Sequence, residues 1–142
     1  MQSEPVPVRS ANRFDLKVLI VDESAASRTN ERSLLQSLGF IHFVEASDGA
    51  QAIAAVSREK FDLIVTDYNL ATMDGLGLVC QLRDLSGAIS VPIIMVTTET
   101  EPIVLEAARN LGVVEIFDKD FPIDQVRQLI DRLFVPAGAS FG

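Results

Sequence analysis

The sequence predicts an α/β fold: a five-stranded parallel sheet doubly wound by five helices, a (βα)5 arrangement. Short apolar runs recur at residues 16–21, 41–45, 61–66, 92–96 and 113–118. Apolar runs of that length read as parallel strands buried on both faces. Helix-patterned stretches separate them, and such alternation makes a parallel sheet with right-handed crossovers and helices on both faces. Polar residues follow four of the runs: Asp22-Glu23, Asp67, Thr97 and Lys119. In an open α/β sheet the carboxyl ends of the strands line one crevice, where ligands bind.

Each element has its own signals. Residues 1–14 carry Pro5, Pro7 and polar side chains and read as a flexible tail before a folded domain at 15–135. Ser24 suits the cap of a helix from about Ala25 to Leu38, with Leu34, Leu35 and Leu38 on its apolar side and Gly39 ending it. Ser47 or Asp48 starts the next helix, which turns Ala52, Ile53 and Val56 inward. A loop through Met73-Asp74-Gly75 precedes a helix to about Leu85 carrying Leu78, Val79 and Leu82. Pro92 sits at a strand entry, where a missing N–H is tolerated. Pro102 fits the first turn of a helix that ends before Gly112. Pro122 opens the last helix, with Val126, Leu129, Ile130 and Leu133. Residues 136–142 read as a tail or the start of a linker.

Composition excludes several classes. The 142 residues suit one domain with a sizeable core, and 48% hydrophobic content fits a globular chain. A net charge of −8 argues against direct nucleic-acid binding, because phosphate backbones need Lys and Arg surfaces. Cys80 is the only cysteine, so no internal disulfide or cysteine-based zinc site is expected. No run approaches the roughly 18–20 apolar residues of a membrane span. The N-terminus lacks a signal-peptide pattern, so a cytoplasmic domain is expected.

The residues gathered at the strand ends suit a divalent cation and a phosphoryl group. Asp22, Glu23 and Asp67 would repel one another, and a hard dication with oxygen ligands relieves that repulsion; Mg²⁺ favours few protein carboxylates plus water and phosphate oxygens. Taken alone, Asp67 serves equally as a helix cap or as a nucleophile able to form an aspartyl phosphate. With Asp22, Glu23 and Lys119 in the same crevice the nucleophile reading gains weight. Asp22-Glu23 also charges the following helix N-terminus favourably, which can coexist with metal binding. A lone Lys at a strand end is ordinarily solvated, and a lone Thr is there for its β-propensity. Beside Asp67, Lys119 can neutralise one phosphoryl oxygen while Thr97 donates a hydrogen bond to another.

The runs Lys17-Val18-Leu19-Ile20-Val21-Asp22-Glu23-Ser24, Asp62-Leu63-Ile64-Val65-Thr66-Asp67, Met73-Asp74-Gly75, Met95-Val96-Thr97-Thr98-Glu99 and Asp118-Lys119, in this order, resemble the receiver domains of bacterial two-component response regulators. The resemblance covers residues 16–134, and CheY-type chemotaxis regulators are the general likeness. It implies a flavodoxin-like, CheY-like fold with strand order 2-1-3-4-5, an order that the residues alone do not yield. It implies Asp67 as phosphoacceptor, direct Mg²⁺ contacts from Glu23 and Asp67, contact through water from Asp22, and a main-chain carbonyl ligand from Asn69. It implies a sensor histidine kinase or histidine phosphotransfer protein as donor, and an output domain or target protein as recipient of the signal. A monomer or a weak phosphorylation-dependent dimer is expected. Receivers are not enzymes acting on another substrate; they support their own phosphoryl transfer and slow autodephosphorylation. Thr97 and Lys119 would bias a two-state switch through the new phosphoryl contacts.

Some positions depart from the family pattern. Many receivers carry Asp where Glu23 stands. Receivers commonly have Lys-Pro with a cis peptide, whereas this chain has Lys119-Asp120; a cis bond before a non-proline costs about 2.5–4 kcal/mol, so a trans bond and a reshaped loop are expected. The aromatic switch position of the fifth strand holds Ile116, which alternation places opposite to Lys119 and toward the fourth and fifth helices, with Phe117 on the other face. His42 is expected to be exposed and Cys80 to be a small core or flank residue. A phosphorylation-independent interaction module would lack an acceptor or metal carboxylate, and none is missing. A hydrolase of the haloacid dehalogenase type would want a second Asp where Asn69 stands.

Overall fold

The computed structural model describes residues 12–85 and 90–135. The elements run β1 (Lys17–Val21), α1 (Ala25–Ser37), β2 (His42–Ala46), α2 (Gly49–Arg58), β3 (Leu63–Thr66), α3 (Gly75–Asp84), β4 (Ile93–Val96), α4 (Pro102–Asn110), β5 (Val113–Phe117) and α5 (Ile123–Leu133). The strands pair in parallel in the order β2-β1-β3-β4-β5. The expected fold class and strand order are both present.

Local chemistry explains the element boundaries. The Ser24 hydroxyl accepts from the Ser27 amide at 3.2 Å and caps α1. Asp48 caps α2 by accepting from the Gln51 amide at 2.8 Å, and Asp74 caps α3 by accepting from Gly77 at 2.8 Å. Pro102 occupies the first turn of α4, where its missing N–H costs nothing. Gly39 and Gly112 end α1 and α4 with φ of +109° and +91°, values that favour glycine.

Two apolar layers enclose the sheet. On one face Leu35 of α1, Leu38 at its C-cap and Val126, Leu129 and Ile130 of α5 pack on Val18, Ile20, Leu63, Val65, Ile94 and Val96. On the other, Ala52 and Ala55 of α2, Leu78, Val79 and Leu82 of α3 and Ala108 of α4 cover Leu19, Val21, Ile64, Ile93 and Met95. Successive strand residues alternate between these layers, as the pleat requires, so β1, β3 and β4 are apolar on both sides.

Some expectations are corrected. The expected tails at 1–11 and 136–142 lie outside the described residues, but Arg13 and Phe14, assigned to the first tail, form a 3-10 turn, Arg13–Asp15. The Arg13 guanidinium donates to the Leu38 carbonyl at 3.0 Å and to Asp131 Oδ1 at 2.6 Å, which ties the turn to the ends of α1 and α5. Ile116 packs against the layer that contains Ala108 of α4 and Val113, but α5 lies across the sheet with Phe117. His42 is exposed, and Cys80 is exposed on α3.

Candidate functional site

Asp22, Asp67 and Thr97 stand immediately beyond the carboxyl ends of β1, β3 and β4, and the ladder holds each in place. The Asp22 amide donates to Ala46 O at 3.0 Å, the Asp67 amide to Val21 O at 3.0 Å and the Thr97 amide to Phe117 O at 2.9 Å. All three are buried: Asp22 is 1% exposed, Asp67 6% and Thr97 3%. Buried carboxylates at the end of an apolar sheet need a compensating charge.

Lys119 supplies that charge. Its ammonium hydrogen-bonds Asp22 Oδ2, lies 3.1 Å from Asp67 Oδ2, and reaches Ser27 Oγ at 3.4 Å. Burial alone would lower the Lys119 pKa; the hydrogen bonds and charges of Asp22 and Asp67 outweigh it and hold the ammonium above its usual range. The other Asp67 oxygen, Oδ1, is buried with no hydrogen-bond partner among the described residues. An acceptor left bare in a buried site is costly unless a cation or an electrophile engages it.

The remaining expected residues differ in their placement. Thr97 Oγ1 accepts from the Glu99 amide at 3.1 Å, leaving its hydroxyl proton free of that bond. Glu23 and Asn69 are exposed. Among the described residues no group of three or more Asp, Glu, His or Cys side chains stands at metal-holding spacing. The Lys119 ammonium, rather than a carboxylate trio, is what Asp22 and Asp67 share. The donors are nevertheless hard oxygens, and Asp67 Oδ1 is unsatisfied, so the chemistry of the set suits a magnesium-sized dication.

Gly75 brings the start of α3 against the acidic strand end. A Cβ there would lie 2.7 Å from Asp67 O and 2.8 Å from Tyr68 Cα, and the Gly75 amide donates to Tyr68 O at 2.6 Å. Only a glycine permits that approach.

The chain matches the response regulator receiver domain model over residues 18–131. The chain belongs to the response regulator receiver domain family. This receiver is 31% identical over 120 residues to the chemotaxis protein CheY-3 of Vibrio cholerae, covering 84% of this chain and 92% of that one. It is 32% identical to the chemotaxis protein CheY of Pseudomonas aeruginosa over 119 residues, 84% and 96% of the two chains. Among solved structures, the V. cholerae chemotaxis response regulator CheY4 superposes with a TM-score of 0.74 at 31% identity, covering 84% of this receiver and 98% of that chain. The receiver domain of a P. aeruginosa sensor histidine kinase, solved with magnesium in its active-site cleft, shares the fold with a TM-score of 0.74 at 24% identity, over 83% and 96% of the chains.

Three residues of this receiver's site escaped the sequence reading. Glu31 on α1 is 2% exposed. Its carboxyl is pushed up to about 8 by burial and by the charges of Asp22 and Asp67, against the pull of Lys119. Ser27 reaches Lys119, and the Arg28 guanidinium donates to the Asp22 carbonyl at 2.6 Å while its Nε bonds Glu45 at 2.9 Å. The signal was available: Ser27, Glu31 and Leu35 follow one another at four-residue spacing on one helix face. No peptide bond among the described residues is cis, so Lys119-Asp120 is trans.

Proposed function

We propose that this receiver accepts a phosphoryl group on Asp67 from a phosphohistidine of a sensor histidine kinase or histidine phosphotransfer protein. The phosphorylated form signals to an output domain or target protein in the cytoplasm. The observation that carries this reading is the bare, buried Asp67 Oδ1 at the sheet's ligand-binding edge, with Lys119 held on its companion oxygen.

In this reading each residue has a task. Asp67 Oδ1 forms the new O–P bond as the P–N bond breaks, and the electron pair of that bond stays on the imidazole nitrogen. A carboxylate needs no base to activate it, so none is required. Lys119, already placed by Asp22 and Asp67, neutralises a phosphoryl oxygen, and Thr97 donates its hydroxyl to another. Asp22, Glu23, Asp67 and the Asn69 carbonyl would hold Mg²⁺, which supplies charge neutralisation for the incoming phosphoryl group. The acyl phosphate is then lost by slow hydrolysis. A monomer, or a weak dimer formed on phosphorylation, is the matching assembly.

Thr97 connects the chemistry to the rest of the fold. Its Oγ1 holds the Glu99 amide, and Glu99 Oε2 holds the Glu101 amide at 2.9 Å, directly before α4. A hydroxyl drawn toward a phosphoryl oxygen disturbs both bonds and biases the loop toward a second state.

Incubation with acetyl phosphate and Mg²⁺, followed by peptide mass spectrometry, tests the reading. Wild type should gain one phosphoryl group on Asp67, and Asp67→Asn should gain none. A label at another residue, or no label with Mg²⁺ present, overturns it.

A further inference from the structure

The turn that delivers Lys119 is built on an unusual residue. Phe121 has φ of +51°, the only non-glycine residue with positive φ among those described. A bulky side chain disfavours that conformation, and it persists only where the surroundings over-determine it. Here they do. The Phe121 ring is fully buried in the layer formed with Val126, Leu129 and Ile130 of α5. It meets the Phe117 ring edge-on, with centroids 6.1 Å apart and an interplanar angle of 80°.

The backbone on either side of that ring closes a tight turn. The Phe121 amide donates to Asp118 O at 2.8 Å, so Lys119 and Asp120 are its two central residues. The Asp120 amide also approaches Asp118 Oδ1 at 3.3 Å, but Asp118 and Asp120 are both exposed. Asp120 places no ring constraint on the chain, unlike a proline at that position. The deep fixing of the turn therefore comes from Phe117 at one end and Phe121 at the other, with Lys119 between them.

We infer that Phe121 is the positioning residue for Lys119: its buried ring and left-handed backbone hold the turn that aims the ammonium at Asp22 and Asp67. The functional part of this inference rests on the phosphoacceptor reading of Asp67; the structural part does not. A glycine at this position would tolerate the backbone conformation while removing the anchor.

The experiment compares wild type, Phe121→Gly, Lys119→Ala and the double variant, with folding followed by circular dichroism. Two quantities are read: the rate at which an acetylating ester modifies Lys119, with Lys17 and Lys60 as internal references, and the rate of Asp67 phosphorylation by acetyl phosphate with Mg²⁺. Phe121→Gly should raise Lys119 acetylation relative to both references. It should slow Asp67 labelling by about tenfold or more, and add nothing in the Lys119→Ala background. Should the glycine variant not fold, Phe121→Met, which keeps apolar volume without the rigid ring, is read in the same two ways. Unchanged Lys119 acetylation overturns the inference, as does a loss of labelling equally large with and without Lys119. Acetylation reads the position of Lys119 even if Asp67 takes no label, so a failure of the phosphoacceptor reading is distinguishable from a failure of this one.

Discussion

The Lys119 ammonium lies 3.1 Å from one oxygen of Asp67 and leaves the other, Oδ1, buried without a hydrogen-bond partner among the described residues. The two oxygens of one carboxylate are thereby given separate environments. One is neutralised by a cation that Asp22 also holds; the other lies outside that pairing.

The shared ammonium should set the response to Mg²⁺. Mg²⁺ should raise the melting temperature of wild type, because a dication that binds only the folded site stabilises it. Glu23→Gln should shrink that rise. Lys119→Ala should enlarge it, since Asp22 and Asp67 then lack their compensating charge, and should slow Asp67 labelling about tenfold or more. Thermal melts with and without Mg²⁺ check this; an unchanged rise in Glu23→Gln would remove Glu23 from the metal shell.

Glu31 makes stability pH-dependent. Its folded-state pKa is about 8, above the ordinary 4.5, so the folded form keeps a proton that the unfolded chain releases. Its contribution is fully present below about pH 4.5, declines as pH rises, and is gone above about pH 8. Glu31→Gln should match wild type near pH 4.5 and exceed it near pH 9 by several degrees in Tm. A difference in Tm that stays constant across this range would show that Glu31 does not titrate with folding.

Gly75→Ala should destabilise the fold by about 1–3 kcal/mol, through overpacking against backbone that cannot yield. The atoms in the way are Asp67 O and Tyr68 Cα, so the same variant should also slow Asp67 labelling. Urea unfolding and labelling rates measure the two effects; loss of neither would mean that α3 shifts freely away from the Asp67 strand end.

Activation should be felt along the loop from Thr97 to Pro102 more than around Ile116. Thr97, Glu99 and Glu101 are joined by successive hydrogen bonds that end at α4, whereas Ile116 is a stiff β-branched side chain packed against the layer that contains Ala108 of α4. Amide chemical shifts with and without beryllofluoride and Mg²⁺ report this. Changes centred on Ile116 and α5, with little at residues 97–102, would overturn it.

The strands, helix caps and polar strand ends were legible from the chain because they depend on neighbours within a few residues. Ser24, Asp48 and Asp74 cap their own helices, and Pro102 and Gly112 bracket α4 by their own backbone preferences. Asp22, Asp67 and Lys119 could be placed together because a parallel sheet brings its carboxyl ends to one edge. The strand order came from family resemblance, since local periodicity does not encode which strands are neighbours. Which oxygen of Asp67 Lys119 would take, and that Glu31 would be buried nearby, depended on contacts between residues as much as 97 positions apart. The docking of Arg13 on α5 and the left-handed Phe121 under its buried ring belong to the same class. Pairing and desolvation are properties of the packed whole: a side chain's charge and exposure follow from what other elements bring to within a few ångströms, and only the tertiary structure decides that.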